Sequence, residues 1–180
     1  SGDGEFDVRR LIERHNAELS NGVGNGVSRI HKMVLTYCSG RVSHPAKSST
    51  QLLLGTIHKK IAAYLQAMDT YNLTQGLETC IEMLREINQY LDEHKPWTMA
   101  KDKTKTAALT QVLFESLAST LAMAVCLAPF CPQKMEQILK AFNLDPAIYL
   151  NRKGLDLILT ASQFSAALPF EPVFPRIETE

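Results

Sequence analysis

The sequence is poor in aromatics and has no excess of either charge. Only 7% of its 180 residues are aromatic, Trp97 is the sole tryptophan, and 19 Lys and Arg are matched by 19 Asp and Glu. Proteins that hold nucleic acid through bulk charge are strongly basic. The balance here excludes that mode, so a nucleic-acid site has to be local or shared with another part of a larger molecule. The four cysteines, Cys38, Cys80, Cys126 and Cys131, form no CxxC pair. They are expected to be buried reduced thiols of a cytosolic-type protein. No grouping of His, Cys and Asp has ligand spacing, so no metal is expected. No nucleophile–base pair, carboxylate pair or phosphate loop is visible, which argues against an enzyme acting alone. No secretory leader is expected, and there is no uninterrupted apolar run long enough to cross a bilayer. The Ala-rich run from Leu117 to Phe130 also carries Ser and Thr and reads as a buried core helix.

What is present is helical spacing, with 45% hydrophobic residues and no stretch that reads as a strand. Asp7 is placed to cap a short first helix through Leu11, Ile12 and His15. Val23, Val27, Ile30, Val34 and Tyr37 form the stripe of a second. Gly40 to Ser49 is a loop. A third helix runs from about Thr50 to Asp69, with Leu54, Ile57, Ile61, Leu65 and Met68 on one face. Thr74 is placed to cap a fourth, whose stripe is Leu77, Ile81, Leu84, Ile87 and Leu91; Pro96 ends it. A fifth begins near Lys105 and closes at Pro129, and a sixth spans Pro132 to Phe142. After Asp145 the pattern becomes irregular, and the segment from about 151 to 180, with Phe164, Phe170 and Phe174 between prolines, is expected to lie across the bundle. The expected fold is all-α: one domain over 1–180, an antiparallel bundle of about five to six helices with a packed C-terminal tail.

On the second helix, Val27, Ile30, Val34 and Tyr37 fall within about 40° of Val23, while Asn25, Arg29, Lys32 and Thr36 fall at roughly 180–240°. Asn25 and Arg29 are then neighbours on a solvent face. An amide, a guanidinium and the Trp97 ring together suit an unstacked nucleic-acid base. Two alternatives stay open at this level. The row is also consistent with a plain solvated helix face. The run Asn21-Gly22-Val23-Gly24-Asn25-Gly26, with three glycines, reads locally as a loop. A helical scaffold for a protein partner is the competing function, and it needs no Asn25–Arg29–Trp97 cluster.

Four segments carry a family resemblance. The first comprises Asp3-Gly4-Glu5-Phe6, Arg14-His15-Asn16-Ala17-Glu18-Leu19-Ser20-Asn21 and Gly24-Asn25-Gly26-Val27-Ser28-Arg29. The second is Ile87-Asn88-Gln89-Tyr90-Leu91-Asp92-Glu93-His94-Lys95-Pro96-Trp97 with Ala100-Lys101. The third is Pro129-Phe130-Cys131-Pro132, and the fourth runs from Leu168-Pro169 to Phe174-Pro175-Arg176-Ile177-Glu178. In this order they resemble the anticodon-binding helical bundle of methionyl-tRNA synthetases, a class I aminoacyl-tRNA synthetase family. The Phe-Pro-Arg-Ile ending favours methionine over the related class I synthetases, which share the bundle. Gly26, where the family usually has leucine, Gly22 and His15 depart from its pattern. Neither a His-x-Gly-His step nor a Lys-Met-Ser-Lys-Ser loop is present, so the chain is not expected to activate an amino acid by itself.

The resemblance implies that Asn25 and Arg29 hydrogen-bond anticodon base edges of a CAU loop, chiefly the first, cytosine, and that Trp97 stacks on an unstacked base. Lys32, Lys101, Lys103 and Lys105 would add salt-sensitive phosphate contacts. The implied partners are methionine tRNA and the catalytic domain of the same parent enzyme, with no membrane and no DNA. ATP and methionine would bind that domain, leaving no cofactor here. The implied setting is cytoplasmic, an organellar parent being the alternative. Asn88 and Tyr90 are expected to serve structural hydrogen bonding, and His31 to be packed in the core.

Overall fold

A computed structural model describes residues 7–44, 52–167 and 171–178. The expectations for Asp3 to Phe6, for most of the loop after His44 and for Leu168 to Phe170 lie outside them. The expected all-α bundle is what the chain forms. It begins with α1 (Val8–Arg14), a π-helix (His15–Gly24) and α2 (Asn25–Cys38), followed by a short strand β1 (Arg41–Ser43). The long helices α3 (Leu52–Asp69), α4 (Leu73–His94) and α6 (Thr106–Leu127) make the body, with α5 (Pro96–Met99) between the last two. Then come α7 (Pro132–Ala141), α8 (Pro146–Tyr149), α9 (Arg152–Leu159) and β2 (Gln163–Ser165).

Local chemistry explains most boundaries. Asp7 accepts from the N–H groups of Arg9 and Arg10 and so caps α1, as its position suggested. The fourth helix is capped by Asn72 and not by Thr74: the Asn72 carboxamide oxygen accepts from Gln75 N–H at 3.1 Å, and Thr74 lies inside the first turn. Beyond Asp145 the chain is more regular than expected, because Asp145 and Asn151 each cap a further short helix.

The expectation of no strand is corrected by β1 and β2, which pair antiparallel with Val42 opposite Phe164. Three-residue strands are too short to show an alternation, and the pairing joins distant parts of the chain. The glycine-rich stretch is helical, not a loop. It is wound as a π-helix up to Gly24, and Gly22 lets it lie on α4, since a Cβ there would sit 2.8 Å from Leu84 Cδ2.

The core forms around α6, which is buried almost throughout. By length and composition this helix is apolar enough to cross a bilayer, yet it lies almost wholly inside the bundle, as the reading of its Ala-rich run as a core helix expects. On α4 the buried face is Cys80, Met83, Leu84, Ile87, Tyr90 and Leu91; Leu77, placed on the stripe, is exposed. The tail packs as expected, with Val173 and Phe174 buried. His31 is buried too, its Nε2–H donating to the Ala167 carbonyl at 2.7 Å and its ring edge-on to Phe142.

All four cysteines are free thiols; Cys80 and Cys126 are buried, whereas Cys38 and Cys131 are only half-buried. Burial pushes the Cys126 thiol up to about 12 and raises Cys80 as well. Only the thiolate reacts, so a thiol reagent at pH 8 is expected to modify Cys38 and Cys131 in the folded chain well before Cys80 and Cys126. Peptide mapping after partial labelling checks the order.

Candidate nucleic-acid interface

The site is built where α4 stops. Lys95 turns into the left-handed region, φ 46°, and its N–H caps the Leu91 carbonyl. Pro96 opens α5 at its first position, where a missing N–H costs nothing, and is itself buried. Bonds from Thr98 N–H and Met99 N–H back to the Lys95 carbonyl hold the turn. The next residue, Trp97, is half-buried, packing against the core and leaving part of its ring open.

Across from it, α2 presents Asn25, Arg29, Lys32 and Thr36 to solvent, as the helical angles require. The Arg29 guanidinium carbon lies 5.3 Å from the Trp97 ring centroid, a cation–π contact. Arg29 Nη2 also donates to Asp92 Oδ1 on α4 at 3.2 Å. Both partners are largely exposed, so the pair adds little stability. Its effect is to hold the guanidinium beside the ring.

Arg29 and Trp97 line a groove of about 240 Å³ together with Lys32, Met33, Thr36 and Tyr37. Asn25 does not line it but stands one helical turn before Arg29 on the same exposed face. Lys101, Lys103 and Lys105 also lie outside the lining, on the connection that follows α5. There Asp102 accepts from the Thr104 hydroxyl and N–H, which lowers its carboxyl pKa and ties down the turn. Lys105 stands 4.0 Å from Asp102; Lys32, Lys101 and Lys103 have no acidic partner among the described residues.

Tyr37 is the main correction. Helical spacing puts it on the core stripe, yet it is 37% exposed and forms a second aromatic wall of the groove. The stripe runs past the edge of the core in the last turn of α2. Steps of four from Arg29 through Met33 to Tyr37 drift by about 40° each, which leaves Tyr37 on the flank between the core stripe and the polar row. Tyr90 is buried in the core with its ring against His94, and its carbonyl accepts from His94 Nδ1. Burial first, and the Glu115 charge second, raise its hydroxyl pKa.

The chain is thus an all-α bundle carrying a cation–aromatic groove at the junction of α2 and α5. A family profile described as the anticodon binding domain of methionyl tRNA ligase matches residues 43–179. The chain belongs to this family. Among relatives, the methionine–tRNA ligase of Thermotoga maritima is 27% identical over 180 residues, and that of Bacillus subtilis 28% over 183. Each alignment covers 99% of this chain but only 28% and 27% of the relative, so the chain spans little more than a quarter of their length. The bundle is also the fold of part of the Mycobacterium tuberculosis methionyl-tRNA synthetase in its free state. The TM-score is 0.88 at 24% identity, covering 99% of this chain and 36% of that one. The profile match begins after α2, so Asn25 and Arg29 rest on the geometry above.

Proposed function

We propose that the chain reads the CAU anticodon of methionine tRNA as the anticodon-binding part of a longer methionine–tRNA ligase. In that parent, a catalytic domain with ATP and methionine attaches the amino acid, and the setting is cytoplasmic. The observation that carries the proposal is the Arg29 guanidinium held over Trp97 at an open groove. A splayed loop base is recognised by stacking on an aromatic or guanidinium plane and by hydrogen bonds to its pairing edge. Trp97 supplies the stacking surface. Arg29 offers donors only, which suits the carbonyl and ring nitrogen of a cytosine edge, and Asn25 offers both a donor and an acceptor. Lys32, Lys101 and Lys103 are placed to meet phosphates. The contact of Arg29 with Trp97 disfavours the competing protein-scaffold function, which would leave the two apart.

The test compares a CAU anticodon stem-loop with one whose first anticodon base is changed. The wild-type chain is expected to prefer CAU. Arg29→Ala is expected to abolish that preference, whereas Lys103→Ala weakens both RNAs about equally, by severalfold at low salt, and lessens the salt dependence of binding. Equal binding of both loops by the wild-type chain would sink the proposal.

A further inference from the structure

A run of ten π-helical residues, His15–Gly24, leads directly into the helix that carries Asn25 and Arg29. π-geometry is rare and usually lasts a single turn, often at functional sites. A run this long needs contacts that favour it over the α form. The C-terminal strap, residues 171–178, supplies them at both ends of the run. At the first end the Asn16 carboxamide pairs with the backbone of Ile177: its Nδ2–H donates to the Ile177 carbonyl at 2.8 Å, and its Oδ1 accepts from the Ile177 N–H at 2.9 Å. The neighbouring His15 ring meets Phe174 edge-on at 6.3 Å. At the far end, Gly24 lies so close to the strap that a Cβ there would be 3.3 Å from the Phe174 carbonyl oxygen.

Gly24 is the residue before Asn25. The Asn25 N–H is shared between the carbonyls of Gly22 and Ser20, so the change from π to α winding falls at Asn25 itself. Helix α2 is anchored in the core by Val27, Ile30 and Val34, and the end of the π run by Val23. Arg29 is framed by those anchors. Asn25 is the first residue of α2, so its order depends on the run before it staying wound and packed through Val23. Relaxing ten residues from π to α winding changes the rotation across the run by roughly half a turn. A change of that size breaks the strap contacts, and a run without them frays, leaving Asn25 at a loose helix end.

We propose that Asn16 is a positioning residue for base recognition: by clamping the strap across the π-helix it holds the junction that aims Asn25. The inference rests on the function proposed above. It is tested in the 180-residue chain with Asn16→Ala, which removes both bonds, and with Ile177→Pro, which removes the Ile177 N–H from the strap side and leaves the π-helix sequence intact. Two quantities are read. In the RNA-free protein, amide exchange over residues 20–29 is expected to rise at least tenfold in both variants, with α4 and α6 still protected. With RNA, the preference for the CAU stem-loop over the loop changed at its first anticodon base is expected to fall at least fivefold, while affinity for the changed loop stays within twofold.

Unchanged exchange in both variants overturns the clamp, whatever the RNA does. Raised exchange with the preference intact overturns the positioning role and leaves Asn16 a structural contact only. If Asn16→Ala fails to fold, Ile177→Pro carries both readouts. A wild-type chain with no preference removes the function, and the role of Asn16 with it; the exchange arm then still shows whether the clamp exists.

Discussion

Replacing Trp97 by alanine is expected to weaken binding of a CAU anticodon stem-loop by about 2 kcal/mol, roughly thirtyfold. The size comes from one lost stacking surface, for which alanine substitution costs about 1–3 kcal/mol per base. Trp97→Phe keeps an aromatic face and should recover most of the loss. The ring also seats the Arg29 guanidinium 5.3 Å from its centroid, so the two side chains are not independent. In a double-mutant cycle with Arg29→Ala, the combined loss should fall short of the sum of the single losses by about 0.5 kcal/mol or more. Titrations of the four proteins with the same labelled RNA measure this. Strict additivity would mean that the guanidinium is held by Asp92 alone. Trp97 is half-buried, so a thermal melt of each variant should accompany the titrations to show that the chain remains folded at the binding temperature.

Replacing Glu115 by alanine is expected to cost about 3 kcal/mol of folding stability. Glu115 is 1% exposed in the middle of α6, the most apolar helix. Its carboxylate accepts from the Leu53 and Leu54 N–H groups at 2.9 and 3.4 Å and from the Gln111 carboxamide at 3.0 Å. Leu53 and Leu54 lie in the first turn of α3, where backbone N–H groups lack partners inside the helix. Glu115 therefore does from another helix what an N-cap residue does locally. Alanine leaves two buried N–H groups without acceptors, each worth about 1–3 kcal/mol. Glu115→Gln retains a carbonyl acceptor and should cost about 1 kcal/mol. Urea unfolding of the three proteins checks the order, and a Glu115→Ala chain within 1 kcal/mol of wild type would contradict the capping role.

The two predictions differ in how much of their basis was legible in the sequence. Asn25 and Arg29 could be placed on one solvent face from spacing alone, since Val27, Ile30 and Val34 fix the inward direction. Trp97 could not be brought to them by any periodicity, because the Lys95–Pro96 turn that aims it depends on one left-handed residue. Tyr37 was misplaced because helical spacing gives a direction but not the length over which the core covers it. The cap at Asn72 was missed for a similar reason: Asn72 and Thr74 are both plausible caps, and geometry alone separates them. Glu115 carries no local signal at all. A charged residue inside an apolar run reads as a break in the stripe until the partner helix end is seen beside it.

From the sequence alone came the all-α class, the main helices and their inward faces, and the exposed polar row of Asn25 and Arg29. These follow from periodicity and local capping, which act over a few residues. Tertiary structure decided the distance from Arg29 to Trp97, the aromatic wall at Tyr37, the buried cap from Glu115 to α3 and the π-winding that the strap holds before Asn25. Each of these joins residues far apart in the chain. Such contacts depend on how whole helices pack, and no local pattern encodes that packing distance.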